Sequence, residues 1–122
     1  MAKGKQLGEF SLKFTSLTLT PGAAGSIVTQ GNCEGTATGF GTVLGTAAFV
    51  GGKSGTFSWC STAHLDNGDQ LSGIGSGTYE GSGKHHWKTH GIIQISDGSR
   101  AISEGEVDLA TRSWTGKIFE NN

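Results

Sequence analysis

The sequence predicts an all-β protein, a small antiparallel β-barrel of about eight strands. Three observations carry this prediction. Apolar and polar residues alternate along most of the chain, as in strands that bury one face. Turn-forming pairs such as Asn67-Gly68 and Asp97-Gly98 separate the alternating runs. No window of about 11 or more residues shows the apolar period of a helix without containing a glycine.

The alternating runs divide the chain into eight or nine strands. In the first run, Phe10, Leu12 and Phe14 share one parity and Leu17 and Leu19 the other, which predicts a bulge near residues 15–16. The predicted strands lie near 7–19, 25–32, 34–40, 42–50, 55–65, 69–79, 85–95, 100–109 and 112–119, with further turns at Pro21-Gly22, Gly51-Gly52 and residues 80–83.

So many short strands must close into a barrel or stack into a sandwich, because open edges promote aggregation. Glycines within a strand, such as Gly73, Gly75 and Gly77, weaken a flat sheet but suit one that coils tightly. We therefore predict a barrel, with the sandwich as the alternative.

The first hairpin points to a pocket wall. A two-residue turn at Asn67-Gly68 would place His64 opposite Leu71, Thr62 opposite Gly73, and Cys60 opposite Gly75. The glycines would leave space above the side chains that face them, and a binding site needs such space. His64 is therefore a candidate catalytic residue.

The second hairpin supplies candidate acids. A two-residue turn at Asp97-Gly98 would set Trp87 opposite Asp108 and place Glu104 and Glu106 on the tryptophan's face. Removal from water beside a tryptophan would raise the pKa of a carboxyl group and suit it to general acid–base work. Glu104 and Glu106 are therefore the proton-handling candidates. The alternative is that all three carboxylates form a solvated face.

Composition and charge narrow the possible partners. The 122 residues suffice for one domain, and Lys plus Arg (9) nearly balance Asp plus Glu (10). A general nucleic-acid binder needs a surplus of cations, so we expect no nucleic-acid partner. No apolar run approaches the roughly 20 residues of a membrane helix, so we expect no membrane partner.

The N-terminal sequence and the cysteines bear on the compartment. No apolar segment of about 7–15 residues follows residues 1–6, so we expect a cytoplasmic protein. Cys33 and Cys60 are then expected to be reduced thiols, with a disulfide between them as the alternative.

The histidine-rich segment gives little support to a metal site. His86 and His90 would share a strand face, but their separation of about 13 Å is too large for one ion. His85 would point to the other face. We expect an exposed polar strand and no bound metal.

A glycine motif carries a family resemblance. Residues 75–81 (GSGTYEG) follow a strand-like segment at residues 41–49, and together they resemble small calycin-like barrels of the allene oxide cyclase and dirigent type. The segments are also similar to uncharacterised bacterial barrels with a glycine–glycine–aromatic repeat. The resemblance implies a barrel without metal or organic cofactor that holds apolar or phenolic molecules inside, in a dimer or trimer.

Three functions follow from these expectations. The first is a cofactor-free isomerase, cyclase or lyase, in which Glu104, Glu106 or His64 moves a proton. The second is a non-catalytic barrel that binds a small molecule. The third is a structural module that self-assembles. Charged residues make up only 16% of the chain, so we expect exposed apolar surface and a homo-oligomer. The ligand-binding candidates are Trp59, Trp87, Trp114 and Tyr79.

Overall fold

The computed structural model describes residues 3–121 and shows a closed barrel of antiparallel strands. Each strand pairs with the next one along the chain, and the last pairs with the first. The prediction of an all-β barrel is confirmed. No helix in this part of the chain is long and apolar enough to cross a membrane. The strands are β1 (Lys3–Pro21), β2 (Ile27–Ala37), β3 (Gly41–Gly51), β4 (Ser54–His64), β5 (Gln70–Gly83), β6 (His86–Ile95), β7 (Arg100–Asp108) and β8 (Ser113–Asn121).

The observed strands differ most from the predicted ones in two places. The segments predicted at 25–32 and 34–40 form the single strand β2, which reduces nine candidates to eight strands. The turn predicted at residues 80–83 is wrong, because β5 continues to Gly83 and the chain reverses at Lys84-His85. The predicted bulge in β1 is confirmed by a register shift between Phe14 and Ser16.

The barrel interior is dominated by aromatic rings around Trp114. This tryptophan is 4% exposed, and its ring lies edge-on to Trp59 at 5.4 Å between centroids. The rings of Phe49 and Phe57 each lie 5.5 Å from it, and Phe14 stacks on it at 6.0 Å. Such geometries add to the stabilisation from burial alone.

Inward-facing glycines give these rings room. A Cβ atom on Gly31 would lie 2.7 Å from the ring of Phe14, and one on Gly105 or Gly116 would lie 2.8 Å from the ring of Phe10. Real Cβ atoms do not approach so closely, so each ring lies directly over glycine backbone of another strand: Phe14 over β2, and Phe10 over β7 and β8. Part of the glycine content of the strands therefore follows from the packing of large aromatic side chains in a narrow barrel. Another part follows from close approach of adjacent strands, because a Cβ atom on Gly35 or Gly77 would meet backbone atoms.

The two predicted hairpin turns exist, but both have one more loop residue than predicted. Between β4 and β5, the Leu65 N–H donates to the Asp69 carbonyl at 2.9 Å, and the Gly68 N–H donates to the Leu65 carbonyl at 3.0 Å. Gly68 has φ +95°, whereas Asn67 is not in the left-handed region. These features define a type I turn followed by a glycine bulge, not the predicted type I′ turn.

The turn between β6 and β7 repeats this geometry. The Ile95 N–H donates to the Ser99 carbonyl at 2.9 Å, the Gly98 N–H donates to the Ile95 carbonyl at 2.9 Å, and Gly98 has φ +93°. The carboxylate of Asp97 accepts a hydrogen bond from the Ser99 N–H at 2.9 Å, as the side-chain oxygen of Asn67 does from Asp69 in the first turn.

The extra loop residue changes which side chains share a face. The pairing of the two strands shifts by one residue. Because side chains alternate between the two faces of a strand, each strand then shares its inner face with the side chains of the partner strand that were predicted to lie on the outer face. Trp87 lies opposite Val107, not Asp108. Both predicted registers are therefore wrong. The observed pairs are His64 with Gln70, Ser61 with Gly73, Trp59 with Gly75, Lys88 with Glu106, and His90 with Glu104.

Candidate functional site

An apolar cavity of about 90 Å³ lies inside the barrel, on the side of Trp114 away from Phe49 and Tyr79. It extends towards the end that carries the β2–β3, β4–β5 and β6–β7 turns, where Phe40 forms part of its wall. The volume is several times what one water needs and well below the roughly 300–1,000 Å³ of pockets for drug-sized molecules.

Small residues on facing strands create the space. Ala63 on β4, Ala37 on β2 and Ala101 on β7 point into the cavity, and each is at most 8% exposed. Gly73 and Gly91 carry no side chain that would fill it. Larger apolar groups complete the wall: Phe10, Leu12, Val43, Phe57, Leu71, Ile93, Ile95 and Ile118, with Trp59 and Trp114.

The polar groups of this region are hydroxyls and indole nitrogens. The Trp59 Nε1 donates to the Ser61 hydroxyl at 2.9 Å, and that hydroxyl contacts the Gly73 carbonyl at 3.5 Å. Deeper inside, the Trp114 Nε1 donates to the Thr89 hydroxyl at 3.1 Å. Ser103, which is 7% exposed, contributes a further hydroxyl to the wall. Hydroxyls of this kind can bind one oxygen of a small ligand.

Among the described residues, none of those lining the cavity has an ionisable side chain. The wall therefore offers shape, apolar surface and a few hydroxyls. General acid–base chemistry on a molecule held there would have to draw on groups outside this wall.

Two of the predicted ligand-binding residues lie on the cavity wall and two do not. Trp59 and Trp114 line the cavity. Tyr79 is 7% exposed and packs edge-on against Phe49, with 5.5 Å between ring centroids, and desolvation raises the pKa of its hydroxyl. Trp87 is the second residue of β6, at the opposite end of the barrel, where it is half-buried.

The candidate acids Glu104 and Glu106 lie on the outer face of the barrel. Glu104 pairs with Lys3 at 3.2 Å and with His90 at 3.8 Å, and Glu106 lies 2.8 Å from His86. The hydrogen bond to Glu106 raises the pKa of His86 above its ordinary value, and the negative charges of Asp108 and Glu106 act in the same direction. The expected contact of these carboxylates with Trp87 is therefore wrong, because the register differs.

The third candidate, His64, also faces outwards. It ends β4 on the exposed side, where its Nε2 lies 3.3 Å from the hydroxyl of Thr62. The two glycines expected opposite Thr62 and Cys60, Gly73 and Gly75, lie instead opposite Ser61 and Trp59 on the inner face. A pocket wall does form in this hairpin, but on the other face from the predicted one.

Sequence reasoning missed the residues that shape the cavity, above all Ser61, Ala63 and Ser103. The signal was present in the two hairpins, since a three-residue loop at Asp66–Gly68 and at Ser96–Gly98 would have placed all three inside. No sequence pattern indicated Phe40, because it lies in a turn and the direction of its side chain depends on how the barrel closes.

The cysteines and histidines form no metal site in the described part of the chain. Cys33 and Cys60 are both free, the first buried on the inner face of β2 and the second exposed on β4. Burial raises the pKa of the Cys33 thiol to about 12. Within residues 3–121, no group of three or more His, Cys, Asp or Glu side chains is arranged to hold a metal ion.

The expectation of a cytoplasmic protein is based on residues 1–6, of which Met1 and Ala2 lie outside the described residues. In comparisons with known proteins, no family model, curated protein or solved structure matches this chain.

Proposed function

We propose that this protein is a non-catalytic barrel that binds one small apolar molecule, about the size of a single aromatic ring. The observation that carries the proposal is the cavity itself, an apolar space of about 90 Å³ within the barrel. Apolar cavities of this order stay dry and take up apolar guests, because little hydration has to be removed when the guest enters.

The wall favours binding over isomerase, cyclase or lyase chemistry. Proton transfer needs an ionisable group within hydrogen-bond reach of the substrate, and the described wall carries hydroxyls instead. Glu104, Glu106 and His64 lie on the outside, where they are separated from the cavity by the sheet.

The Ser103 hydroxyl adds a preference within this ligand class. The Ser61 hydroxyl already accepts the hydrogen bond of Trp59. Of the other serines on the wall, Ser72 and Ser76 are exposed, whereas Ser103 is buried. We infer that a phenolic molecule, with its ring among the apolar side chains and its oxygen on Ser103, binds better than the bare hydrocarbon.

The type of barrel is part of the same proposal. Sequential pairing of eight antiparallel strands, with β8 closing on β1, is the up-and-down order of ligand-binding barrels such as lipocalins. This order supports the calycin-like or allene-oxide-cyclase-like assignment that the glycine motif implies.

Benzene and phenol test the proposal. We expect each to bind with a dissociation constant of about 1 mM or lower, on the scale of the best small ligands. In two-dimensional NMR, the indole N–H signals of Trp59 and Trp114 should shift on binding. The signal of Trp87, which is remote from the cavity, should not. Failure of both molecules to move these signals at saturation would overturn the proposal.

Two variants locate the site, and a third is the control. Ala63→Leu fills the cavity and should abolish binding without loss of stability, whereas Ala110→Leu, in the exposed turn after β7, should leave binding unchanged. Ser103→Ala should weaken the binding of phenol about fivefold, which corresponds to the loss of one hydrogen bond, and should leave the binding of benzene unchanged. Equal loss for both ligands would exclude the role of Ser103.

A further inference from the structure

The second half of β1 has a partner on one side only. Its pairing with β2 extends to Pro21, but its pairing with β8 ends at Lys13. The chain before β8 covers the edge as far as Phe14, whose N–H donates to the Arg112 carbonyl at 2.8 Å. From Thr15 to Pro21 the backbone therefore presents a free edge about 20 Å long, at roughly 3.3 Å per residue.

This edge is well ordered on its other side. Asn32 on β2 donates its side-chain N–H to the Ser16 hydroxyl at 2.9 Å and accepts a hydrogen bond from Thr46 on β3 at 2.8 Å. These contacts join β3, β2 and β1 across the outer face. The edge is thus held in extended geometry, which makes it a ready template for another strand.

The surroundings of the edge are apolar and uncharged. Leu19 is 64% exposed, Leu17 is 37% exposed, and Ile27, which pairs with Pro21, is 45% exposed. No Asp, Glu, Lys, Arg or His occurs between Lys13 and Glu34. A bulge at one end and Pro21 at the other limit the length of this edge, but none of the charged side chains that commonly protect an edge strand lies between them, which favours pairing with another strand.

The sequence of the edge is complementary to itself. If two copies pair antiparallel about an axis through Thr18, Leu17 of each copy lies opposite Leu19 of the other, and Ser16 lies opposite Thr20. Apolar residues then meet apolar residues on one face and hydroxyls meet hydroxyls on the other. Any register shift of one residue would set leucine against threonine.

We propose that the free edge of β1, residues 15–20, binds the same edge of a second copy of this chain and forms a continuous sheet across a two-fold dimer. The first part of β1, residues 3–8, also pairs on one side only, with β8, but it carries Lys3 and Lys5. Because the two-fold contact uses the uncharged edge at residues 15–20 of both copies, it closes at two copies and does not propagate. The interface adds a function to the barrel that is independent of its cavity.

Light scattering and sedimentation over a range of concentrations test the dimer. The native chain should pass from monomer to dimer as concentration rises. Leu19→Lys places an ammonium group opposite Leu17 of the partner. It should raise the protein concentration at the midpoint of the monomer–dimer transition at least about tenfold. Ile74→Lys is the matched control, because Ile74 is more exposed, at 69%, but lies on the outer face of β5. It should leave the midpoint unchanged.

Cross-linking tests the register. In a Cys60→Ser background, Thr18→Cys sets two thiols opposite each other across the axis, within the distance a disulfide spans. Oxidised glutathione should convert them to an intermolecular disulfide, taking up both electrons and both protons as two molecules of reduced glutathione. Thr20→Cys places its thiols about 13 Å apart and should not cross-link.

Three results would overturn the proposal. These are a monomer at all concentrations up to about 1 mM, a dimer abolished by Ile74→Lys but not by Leu19→Lys, and cross-linking by Thr20→Cys in preference to Thr18→Cys. Circular dichroism of each variant distinguishes loss of the dimer from loss of the barrel.

Discussion

At the scale of single residues, the hydrogen bond between Trp114 and Thr89 fixes the central ring of the aromatic core to strand β6 of the barrel. Trp114 contacts five other aromatic rings: Phe10, Phe14, Phe49, Phe57 and Trp59. Its Nε1 donates to the hydroxyl of Thr89, which is 4% exposed on β6. A buried indole N–H without an acceptor is costly, so Thr89 fixes the orientation of the ring at the centre of the barrel.

Thr89→Val should therefore destabilise the protein by about 1–3 kcal/mol, although the side chain keeps nearly the same size. The cost arises because the indole N–H is left unsatisfied in the core. Urea unfolding monitored by circular dichroism measures it. Thr115→Val, an exposed position beside Trp114 on β8, is the control and should change stability by less than about 0.5 kcal/mol. Equal effects of the two substitutions would contradict this role for the hydrogen bond.

At the scale of elements, two turns decide which faces of four strands point inwards. In each loop, residues Asp66 to Gly68 and Ser96 to Gly98, the last residue is a glycine with φ near +95°. That conformation costs an L residue roughly 1–2 kcal/mol and glycine very little. The glycine thus permits the bulge, and the bulge sets the register.

Gly68→Ala and Gly98→Ala should each destabilise the barrel by about 1–2 kcal/mol, as measured by urea unfolding. Gly52→Ala is the matched control. It lies in the turn between β3 and β4, its φ is not positive, and a Cβ there would meet nothing within 4 Å. We expect it to be neutral or slightly stabilising, because alanine restricts the unfolded chain. A neutral result at both Gly68 and Gly98 would exclude these turns as determinants of register.

The same turns show which features of the fold and of the site could be predicted from the sequence. Alternation, including the change of parity in β1 that marks the bulge after Phe14, predicted the strands correctly, because that signal repeats over many residues. The site depended on a single residue of loop length. Asp97-Gly98 fits both a two-residue and a three-residue loop, and the wrong choice placed Glu104 and Glu106 on the face of Trp87. The cavity also depends on ring packing around Trp114, which local patterns do not encode.

At the scale of the whole molecule, the closed barrel divides into two parts with different packing. Rings fill the part around Trp114, Phe49 and Tyr79, and smaller side chains leave the cavity in the other. Cys33 belongs to the same buried cluster as Trp114 and is 4% exposed. Because β2 is paired on both sides, exposing this thiol requires the barrel to open.

Cys33 should therefore report opening of the entire barrel. In the native protein an aromatic disulfide reagent should titrate one thiol, Cys60, and after denaturation two. Burial holds the pKa of Cys33 at about 12 against 9.0 for a free thiol, so the folded chain binds this proton more tightly. That contribution to stability is complete below pH 9.0 and is lost as pH rises towards about 12, because the unfolded thiol ionises first.

In a Cys60→Ser variant, the slow labelling rate of Cys33 then gives a free energy of opening. We expect it to equal the free energy of unfolding from urea titration at the same pH, because no smaller movement of a closed barrel frees β2. Destabilisation by Thr89→Val should accelerate labelling by the corresponding factor, about tenfold for each 1.4 kcal/mol. Rapid labelling of Cys33 in the native chain, or labelling insensitive to Thr89→Val, would mean that β2 opens locally while the rest of the barrel stays closed.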